Sequence, residues 1–509
     1  MQFQHAPSRS IFIDRHLPWL ALAILYGLAD AKLVALHGVF WSTWADQTRY
    51  LTSATALANL RFDPAEHWYP LLYPLLGAPF ARLWPAMPFV LVDAICFVGT
   101  FIGFASVARR FGIGPWLAAT VFAVSTILYP EMGRRWLEPW TTTPSAALIW
   151  LAIAATLAIF DAPASRRTAI GLALCLAAIP MVRPGDAGVA VVLGAMAGWK
   201  LIARREWGIV ALIAIVALAC LAAYGALHVA IYGLHPSDYA VLSTEYGENF
   251  GWLGWKAYVL LLDPGAWFPE GEGLLHAFPW LILGAAGLLF EVVRQGRQRL
   301  AAACIGLALA VYGATMIAYV DLLPSGLWRF NNVHYFKWMF PAFALFLVLF
   351  LRDVRHAPLT GAAIAAVLCL ATCIRIVPVA VGVDEPARML FFAQPQADFR
   401  TFYFGRSIVD DRKGVSRNIF DFHQIPASDG RFVAIALKRD FAGHETWSAR
   451  SSSVKWPRTV PGLYQDVTGA GEERRAPLQR FAATIGFGVP CWTRLTHCQR
   501  LTQATHIGA

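Results

Sequence analysis

Apolar stretches of membrane-spanning length recur along most of this chain, and they constrain its fold more than any other feature. A helix needs about 20 consecutive apolar residues to cross a bilayer, because the hydrocarbon core is about 30 Å thick. Only 15% of the 509 residues are charged and 57% are hydrophobic, whereas soluble domains carry about 25% charged residues. The chain is therefore predicted to be an α-helical polytopic membrane protein with about eleven transmembrane helices.

The predicted spans are residues 17–37, 87–108, 112–130, 143–160, 168–182, 187–203, 208–231, 276–293, 300–320, 337–352 and 359–382. The region 168–203 also admits a single broken helix.

Basic residues at alternate ends of these spans predict the orientation, because Lys and Arg are enriched in cytoplasmic loops. Arg9 and Arg15 precede the first span, and Arg pairs or triplets end alternate spans after it. The N-terminus is then cytoplasmic in a bacterial inner membrane, and the net charge of +10 belongs to cytoplasmic loops facing membrane lipids. Nucleic acid is not an expected partner. The predicted outer segments are 38–86, 131–142, 232–275, 321–336 and the tail from 383.

The tail has a polar composition, unlike the rest of the chain. We predict a transmembrane domain over 1–382 and a small mixed α/β extracytoplasmic domain over 383–509. Arg431–Lys438 has the alternation of a strand. Cys491 and Cys498 lie six residues apart in this tail, and an oxidising compartment favours a disulfide between them.

The first outer segment contains the first candidate site residues. Asp46 falls in the first turn of a helix that Ser42 or Thr43 can cap. It is a candidate general base or metal ligand, or else it only stabilises that helix end. Glu66 is a candidate for a contact to substrate or to a cation, and His67 is a candidate for a contact to an anionic group. The simpler interpretation is that both are solvated loop residues.

Further candidates lie at later predicted loops and breaks. Two arginines in a short outer loop run against the usual charge bias and suggest anion binding. An ionisable residue at a break in a span is a functional candidate, and cations at an outer interface bind a substrate or only anchor the helix. These candidates are Arg134, Arg135, Glu138, Arg183, Arg329, His334 and Lys337.

The long outer segment 232–275 is rich in aromatic residues. It is either a gate for a lipid or a plain interfacial loop. The sequence shows no P-loop, Gly-x-Ser-x-Gly, His-Glu-x-x-His or dinucleotide fingerprint. The absence of these motifs agrees with a site that lies outside the cytoplasm and does not use a nucleotide directly.

Four motifs in the first 200 residues carry a family resemblance. Asp46 opens the first outer loop, Glu66-His67 precedes a Pro-Leu-Leu-Tyr-Pro run, Glu138-Pro139 is followed by Thr141, and Arg183-Pro184 follows Val182. In order and topology the chain resembles the membrane glycosyltransferases of the GT-C type. The most similar branches are bacterial relatives of the dolichyl-phosphate-mannose protein mannosyltransferases and the lipid A aminoarabinose transferases.

The resemblance implies that 1–382 is a GT-C-like catalytic domain performing an inverting glycosyl transfer. A polyprenyl-phosphate-linked sugar would be the donor, and an envelope glycan, lipid or protein the acceptor. Asp46 would be the base, and the basic candidates would stabilise the leaving phosphate. Many relatives have two adjacent acids where this chain has Asp46 and Gln47, which puts a divalent metal site (Mg²⁺ or Mn²⁺) in doubt. His67 stands where some relatives have a lysine.

Two other functions stay open at this stage. An O-antigen ligase or polymerase would use an outer Arg/His site and need no acid in the first loop. A lipid-linked sugar flippase or transporter would tend to show inverted repeats and ionisable groups at mid-membrane. No such repeat is evident, and the ionisable residues gather towards one side, which also disfavours a purely structural scaffold.

Overall fold

In a computed structural model, the chain is described over residues 9–38, 45–246, 248, 250, 253–264, 272–296, 298–319 and 327–373, and over five segments of the tail. Ser42 and Thr43, the predicted helix caps, lie outside the described residues, as do Cys491 and Cys498. The described residues before the tail are largely helical. Their α-helices are α1 Arg9–His37, α2 Ala45–Ala58, α3 Leu72–Ala81, α4 Val90–Arg110, α5 Pro115–Ser125, α6 Pro130–Leu137, α7 Thr142–Asp161, α8 Arg166–Val182, α9 Ala187–Ala203, α10 Trp207–Tyr232, α11 Asp238–Tyr246, α12 Leu253–Ala257, α13 Leu274–Ala277, α14 Trp280–Val293, α15 Arg299–Ala318, α16 Met339–Asp353 and α17 Pro358–Thr372.

Every one of the predicted spans overlaps a helix of this series, although residues 374–382 of the last predicted span lie outside the described residues. Within the described part of the chain, six helical segments are long and apolar enough to cross a membrane: His16–His37, Val90–Arg110, Thr142–Asp161, Pro184–Ala203, Trp207–Tyr232 and Arg299–Ala318. The α-helical membrane class is therefore confirmed. The total number of crossings and their orientation stay predictions, because helices such as α5 and α17 are shorter than a span.

The ambiguous region 168–203 forms two helices. α8 ends at Val182, and Arg183 adopts an extended conformation with φ −153° and ψ 99°. Proline disfavours a helical conformation in the residue before it, which explains why the break falls at Arg183-Pro184. A single 3₁₀ turn, Pro184–Asp186, then leads into α9.

The chain divides into two compact units. The first comprises Met1–Val241, Trp280–Gly313 and Val333–Cys369, and the second comprises Leu242–Pro279, Ala314–Asn332 and Leu370–Ala509. The interior of the first unit is built from closely packed helices, and glycines allow some of them to approach. A Cβ on Gly103 of α4 would lie 2.6 Å from the backbone carbon of Trp150 in α7. Gly284 and Gly287 of α14 face the backbone of α16 in the same way.

We expect Gly287→Ala to destabilise the protein by about 1–3 kcal/mol, because the added methyl group collides with the backbone oxygen of Phe346. Gly198→Ala in α9 is the matched control, since nothing lies within 4 Å of its Cβ position. That variant should be neutral or more stable by up to about 1 kcal/mol, owing to the better helix propensity of alanine. Thermal unfolding of the detergent-solubilised variants measures both changes. Equal melting temperatures would contradict the packing of α14 on α16.

The second unit includes the described part of the tail, which forms one antiparallel sheet. Its strands are β1 Met389–Ala393, β2 Arg400–Asp410, β3 Val415–His423, β4 Val433–Arg439 and β5 Glu445–Ser451, in the order β3-β2-β1-β4-β5. The strand predicted over Arg431–Lys438 is confirmed as β4. The described tail residues are all in strands, so the helical part of the predicted mixed domain stays a prediction. The predicted boundary at 382–383 lies outside the described residues.

Candidate functional site

Asp46 lies half-buried in the first turn of α2, as the sequence predicts. The Tyr69 hydroxyl donates a hydrogen bond of 2.6 Å to its Oδ1 atom. Burial raises the pKa of Asp46, and the hydrogen bond from Tyr69 and the charge of Arg49 only partly offset that rise. The Arg49 guanidinium itself lies 4.5 Å over the ring of Trp68. Asp46 is thus a carboxylate with one oxygen already engaged and with a raised proton affinity.

A group of tyrosines connects Asp46 to the interior of the first unit. The Tyr50 ring contacts Tyr69 at 4.9 Å and Tyr73 at 5.4 Å. The Tyr73 hydroxyl in turn bonds both carboxylate oxygens of Asp93, at 3.1 and 2.9 Å. Neither Tyr50 nor Asp93 was among the residues predicted from sequence.

Glu138 is completely buried between α6 and α7 and binds three donors. Arg134 reaches Oε1 at 2.7 Å, and Arg135 and the Trp140 indole reach Oε2 at 2.8 and 3.1 Å. Burial alone would raise the pKa of Glu138, but Arg135, Trp140 and Arg134 together hold it below its usual value. The structure therefore places Glu138 as the counterion of the two predicted anion-binding arginines.

Two further candidates, Lys337 and His334, lie in the segment before α16 and contact the residues that follow Glu138. The Lys337 ammonium is 1% exposed and donates to the Thr143 hydroxyl at 2.8 Å. The carboxylates of Asp93 and Glu138 lie near this ammonium group. His334 stacks on Trp140 with ring centroids 4.1 Å apart and contacts the Thr142 hydroxyl at 3.2 Å through Nδ1. Burial lowers the pKa of His334 well below its usual value.

Arg183, at the break between α8 and α9, lies next to the segment that contains His334 and Lys337. Its guanidinium lies 3.1 Å from Asp186, 3.2 Å from the Tyr312 hydroxyl and 4.6 Å from the centre of the Tyr335 ring. Tyr335 also packs on His334, with centroids 4.1 Å apart. The extended backbone before Pro184 thus directs Arg183 towards the segment that contains His334 and Lys337.

Three consecutive threonines at the start of α7 join these parts. Thr141 lies beside the Tyr50 hydroxyl, Thr142 contacts His334, and Thr143 accepts from Lys337. The Thr-Thr-Thr run was visible in the sequence after Glu138-Pro139, but only Thr141 entered the family motif. We call Thr141–Thr143 the threonine run. It links the Asp46 side of the site to the cationic side.

Glu66 and His67 lie elsewhere in the segment 38–86, which is predicted to be on the outer side. Glu66 forms an ion pair with Arg61 at 3.0 Å. His67 is 1% exposed, its Nδ1 accepts from Ser53 at 2.8 Å, and its Nε2 donates to the Arg61 carbonyl at 3.0 Å. Both ring nitrogens therefore hold the loop onto α2, and a phosphate-binding role for His67 stays a prediction. Arg329 begins a 3₁₀ helix, Arg329–Phe336, and its side chain lies outside the described residues.

A pocket lies between α2, the loop before α4 and the loop before α7. Its polar lining residues are Gln47 and Asp93, and the remaining ones are apolar: Leu51, Ala86, Met87, Pro88, Phe89, Val90, Leu137 and Pro139. Gln47 follows Asp46 in the chain, and Leu137 and Pro139 flank Glu138. The pocket is thus bounded by the neighbours of two candidate site residues.

The described residues around Asp46 fit a divalent cation poorly. Mg²⁺ and Mn²⁺ prefer several oxygen ligands, and the neighbours of Asp46 within the described ranges are a tyrosine, an amide and an arginine. In the same ranges, no group of three or more His, Cys, Asp or Glu side chains is placed to hold a metal ion. We therefore derive no step through a metal.

No protein-family model matches the chain, and no curated protein matches it in sequence. In fold it is similar to ArnT from Cupriavidus metallidurans, solved bound to undecaprenyl phosphate, with a TM-score of 0.45 and 15% identity over 72% of this chain and 64% of that one. It is also similar to the oligosaccharyltransferase AglB from Archaeoglobus fulgidus, solved with an inhibitory peptide and a dolichol-phosphate. That match has a TM-score of 0.34 and 13% identity over 71% of this chain and 55% of AglB. The chain spans less than two thirds of either structure.

Proposed function

We propose that this protein is an inverting glycosyltransferase that moves a sugar from a polyprenyl-phosphate-linked donor to an acceptor of the cell envelope. The site would face the outer side of the bacterial inner membrane, as the charge pattern predicts. The observation that carries the proposal is the threonine run. Its Thr142 and Thr143 contact the buried His334 and Lys337, and its Thr141 lies beside Tyr50, whose ring packs on the tyrosine that binds Asp46. A transfer of this kind needs both a base for the acceptor and positive charge for the leaving phosphate.

In the proposed reaction, Asp46 accepts the proton of an acceptor hydroxyl while that oxygen attacks C1 of the sugar. The bond between C1 and the phosphate oxygen breaks with inversion, and the electron pair leaves on the polyprenyl phosphate. Lys337, Arg135 and Arg183 supply the positive field for that phosphate. An anionic phosphate next to Lys337 would stabilise its ammonium form, because an opposite charge favours the charged state.

The pocket lined by Gln47 and Leu51 is our proposed approach for the acceptor, since Gln47 directly follows the proposed base. Leu51→Trp should fill it and raise the acceptor KM about tenfold, the equivalent of about 1.4 kcal/mol. Leu83→Trp is the matched control, because Leu83 is 81% exposed and does not line the pocket. Steady-state transfer assays with varied acceptor measure the effect. An unchanged KM for Leu51→Trp would place the acceptor elsewhere.

The proposed function is tested by reconstituting the full chain in vesicles with a panel of synthetic polyprenyl-phosphate sugars and cell-envelope acceptors. Transfer with inverted anomeric configuration, detected by mass spectrometry and NMR, is the expected result. A parallel assay with chelator tests the poor fit for a metal ion, and activity should persist. Retention of configuration, or movement of the lipid-linked sugar across the vesicle without transfer, would overturn the proposal.

A further inference from the structure

We propose that Tyr69 is a positioning residue for Asp46: its hydroxyl holds Oδ1, so that Oδ2 is the oxygen that takes the acceptor proton. This inference rests on the proposed function and deepens it. The sequence did not single out Tyr69 as a site residue. The structure places its hydroxyl 2.6 Å from Oδ1, the shortest polar contact described for Asp46.

The tyrosine is itself held in place by two rings. Its ring lies 4.9 Å from Tyr50 of α2 and 5.0 Å from Tyr239 of α11, at interplanar angles of 56° and 54°. Tilted ring pairs at these separations are favourable. The Tyr69 hydroxyl therefore cannot leave Asp46 without giving up contacts on both sides of its ring. Fixing one carboxylate oxygen fixes the plane of the carboxylate and hence the direction of the second oxygen.

The proton positions in the proposed transfer step agree with Tyr69 acting only as a hydrogen-bond donor. Burial and the neighbouring Tyr50 and Asp46 raise the pKa of Tyr69, so it keeps its proton and acts only as a donor. When the acceptor O–H bond breaks, its proton goes to Oδ2 and the Tyr69 proton stays on the phenol. The ionisable groups that face Asp46 are Arg49 and Tyr50 from its own helix and Tyr69 from the following loop, with Tyr239 behind Tyr69.

The test is the pH profile of transfer by Tyr69→Phe. A hydrogen bond to the ionised carboxylate favours the charged form, so its loss should move the acid limb of the rate profile upwards by about one pH unit. We also expect a fall in kcat of about tenfold from the freed carboxylate, with the acceptor KM unchanged within about twofold. A merely structural role would not move the acid limb.

Tyr232→Phe is the matched control. That residue donates a hydrogen bond to the His67 carbonyl in the same loop without contacting Asp46, so its variant should keep the wild-type acid limb. Difluorotyrosine at position 69 provides a second measurement, because a stronger donor should shift the acid limb to lower pH. An acid limb that stays in place in both Tyr69 variants would overturn the inference. If that happens while Asp46→Asn is inactive, the proposed function survives; full activity of Asp46→Asn would remove its proposed base.

Discussion

Asp46→Asn should lose sugar transfer by about a hundredfold to ten-thousandfold, the range that a positioned general base supplies. The amide keeps the size of the side chain and can still accept the hydrogen bond from Tyr69 at its carbonyl oxygen. It cannot accept the proton of an acceptor hydroxyl. The raised pKa of Asp46 adds a pH signature: wild-type activity falls as pH drops towards that pKa, because the protonated carboxyl is no longer a base. Initial rates of transfer from pH 4 to 9 measure both effects.

Asp63→Asn is the matched control for that experiment. Asp63 lies in the same segment 38–86, is exposed, and caps the 3₁₀ turn Pro64–Glu66 by accepting from the Ala65 amide. Asparagine caps almost equally well, so this variant should keep wild-type rates. Equal activity of Asp46→Asn and the wild type would remove Asp46 from the chemistry. The arginine-centred ligase or polymerase would then become the better hypothesis.

Glu138→Gln should destabilise the protein by about 3–5 kcal/mol, the cost of removing one partner from a buried ion pair. The substitution leaves Arg135 buried without its counterion, while Arg134 is 35% exposed and can turn to water. The sign of the pH dependence follows from the lowered pKa of Glu138. Its stabilisation is complete above the ordinary carboxyl pKa of 4.5 and is lost as pH falls through the lower folded-state value.

Glu131→Gln provides the control for Glu138→Gln, because Glu131 lies exposed at the start of the same helix, α6. Its loss should change the melting temperature little, since exposed charges contribute about 0–1 kcal/mol. Thermal unfolding of detergent-solubilised variants between pH 4 and 8 distinguishes the two positions. A Glu138→Gln variant as stable as Glu131→Gln would contradict the ion pairs of Glu138 with Arg134 and the buried Arg135.

The positions of the helices could be predicted from sequence because each follows from a local property. Apolar length places the spans, and the restriction that proline puts on Arg183 places the break between α8 and α9. Candidates on different segments, such as Glu138, Arg183 and Lys337, were found because charge is rare in an apolar chain. Their convergence on one region is a tertiary fact that no local pattern contains.

The parts of the site that could not be predicted depend on which way a side chain points. Glu66 and His67 are neighbours of an aromatic run, and nothing in that run shows that Ser53 and the Arg61 carbonyl engage both nitrogens of His67. Asp93 lies inside an apolar stretch and becomes notable only when Tyr73 is seen to bind both its oxygens. Tyr69 and the threonine run have ordinary interfacial explanations until their partners are known.

The threonine run has a consequence for how such a site can change over time. Successive residues at a helix start point in directions about 100° apart, because an α-helix has 3.6 residues per turn. Each hydroxyl therefore serves a different partner: Tyr50 on the side of the base, His334 in between, and Lys337 on the side of the phosphate. In the proposed enzyme, selection for a new acceptor can then act on the surroundings of Tyr50 while the surroundings of Lys337 stay as they are. Under that proposal, acceptor choice and donor handling become separately adjustable traits of a single helix end.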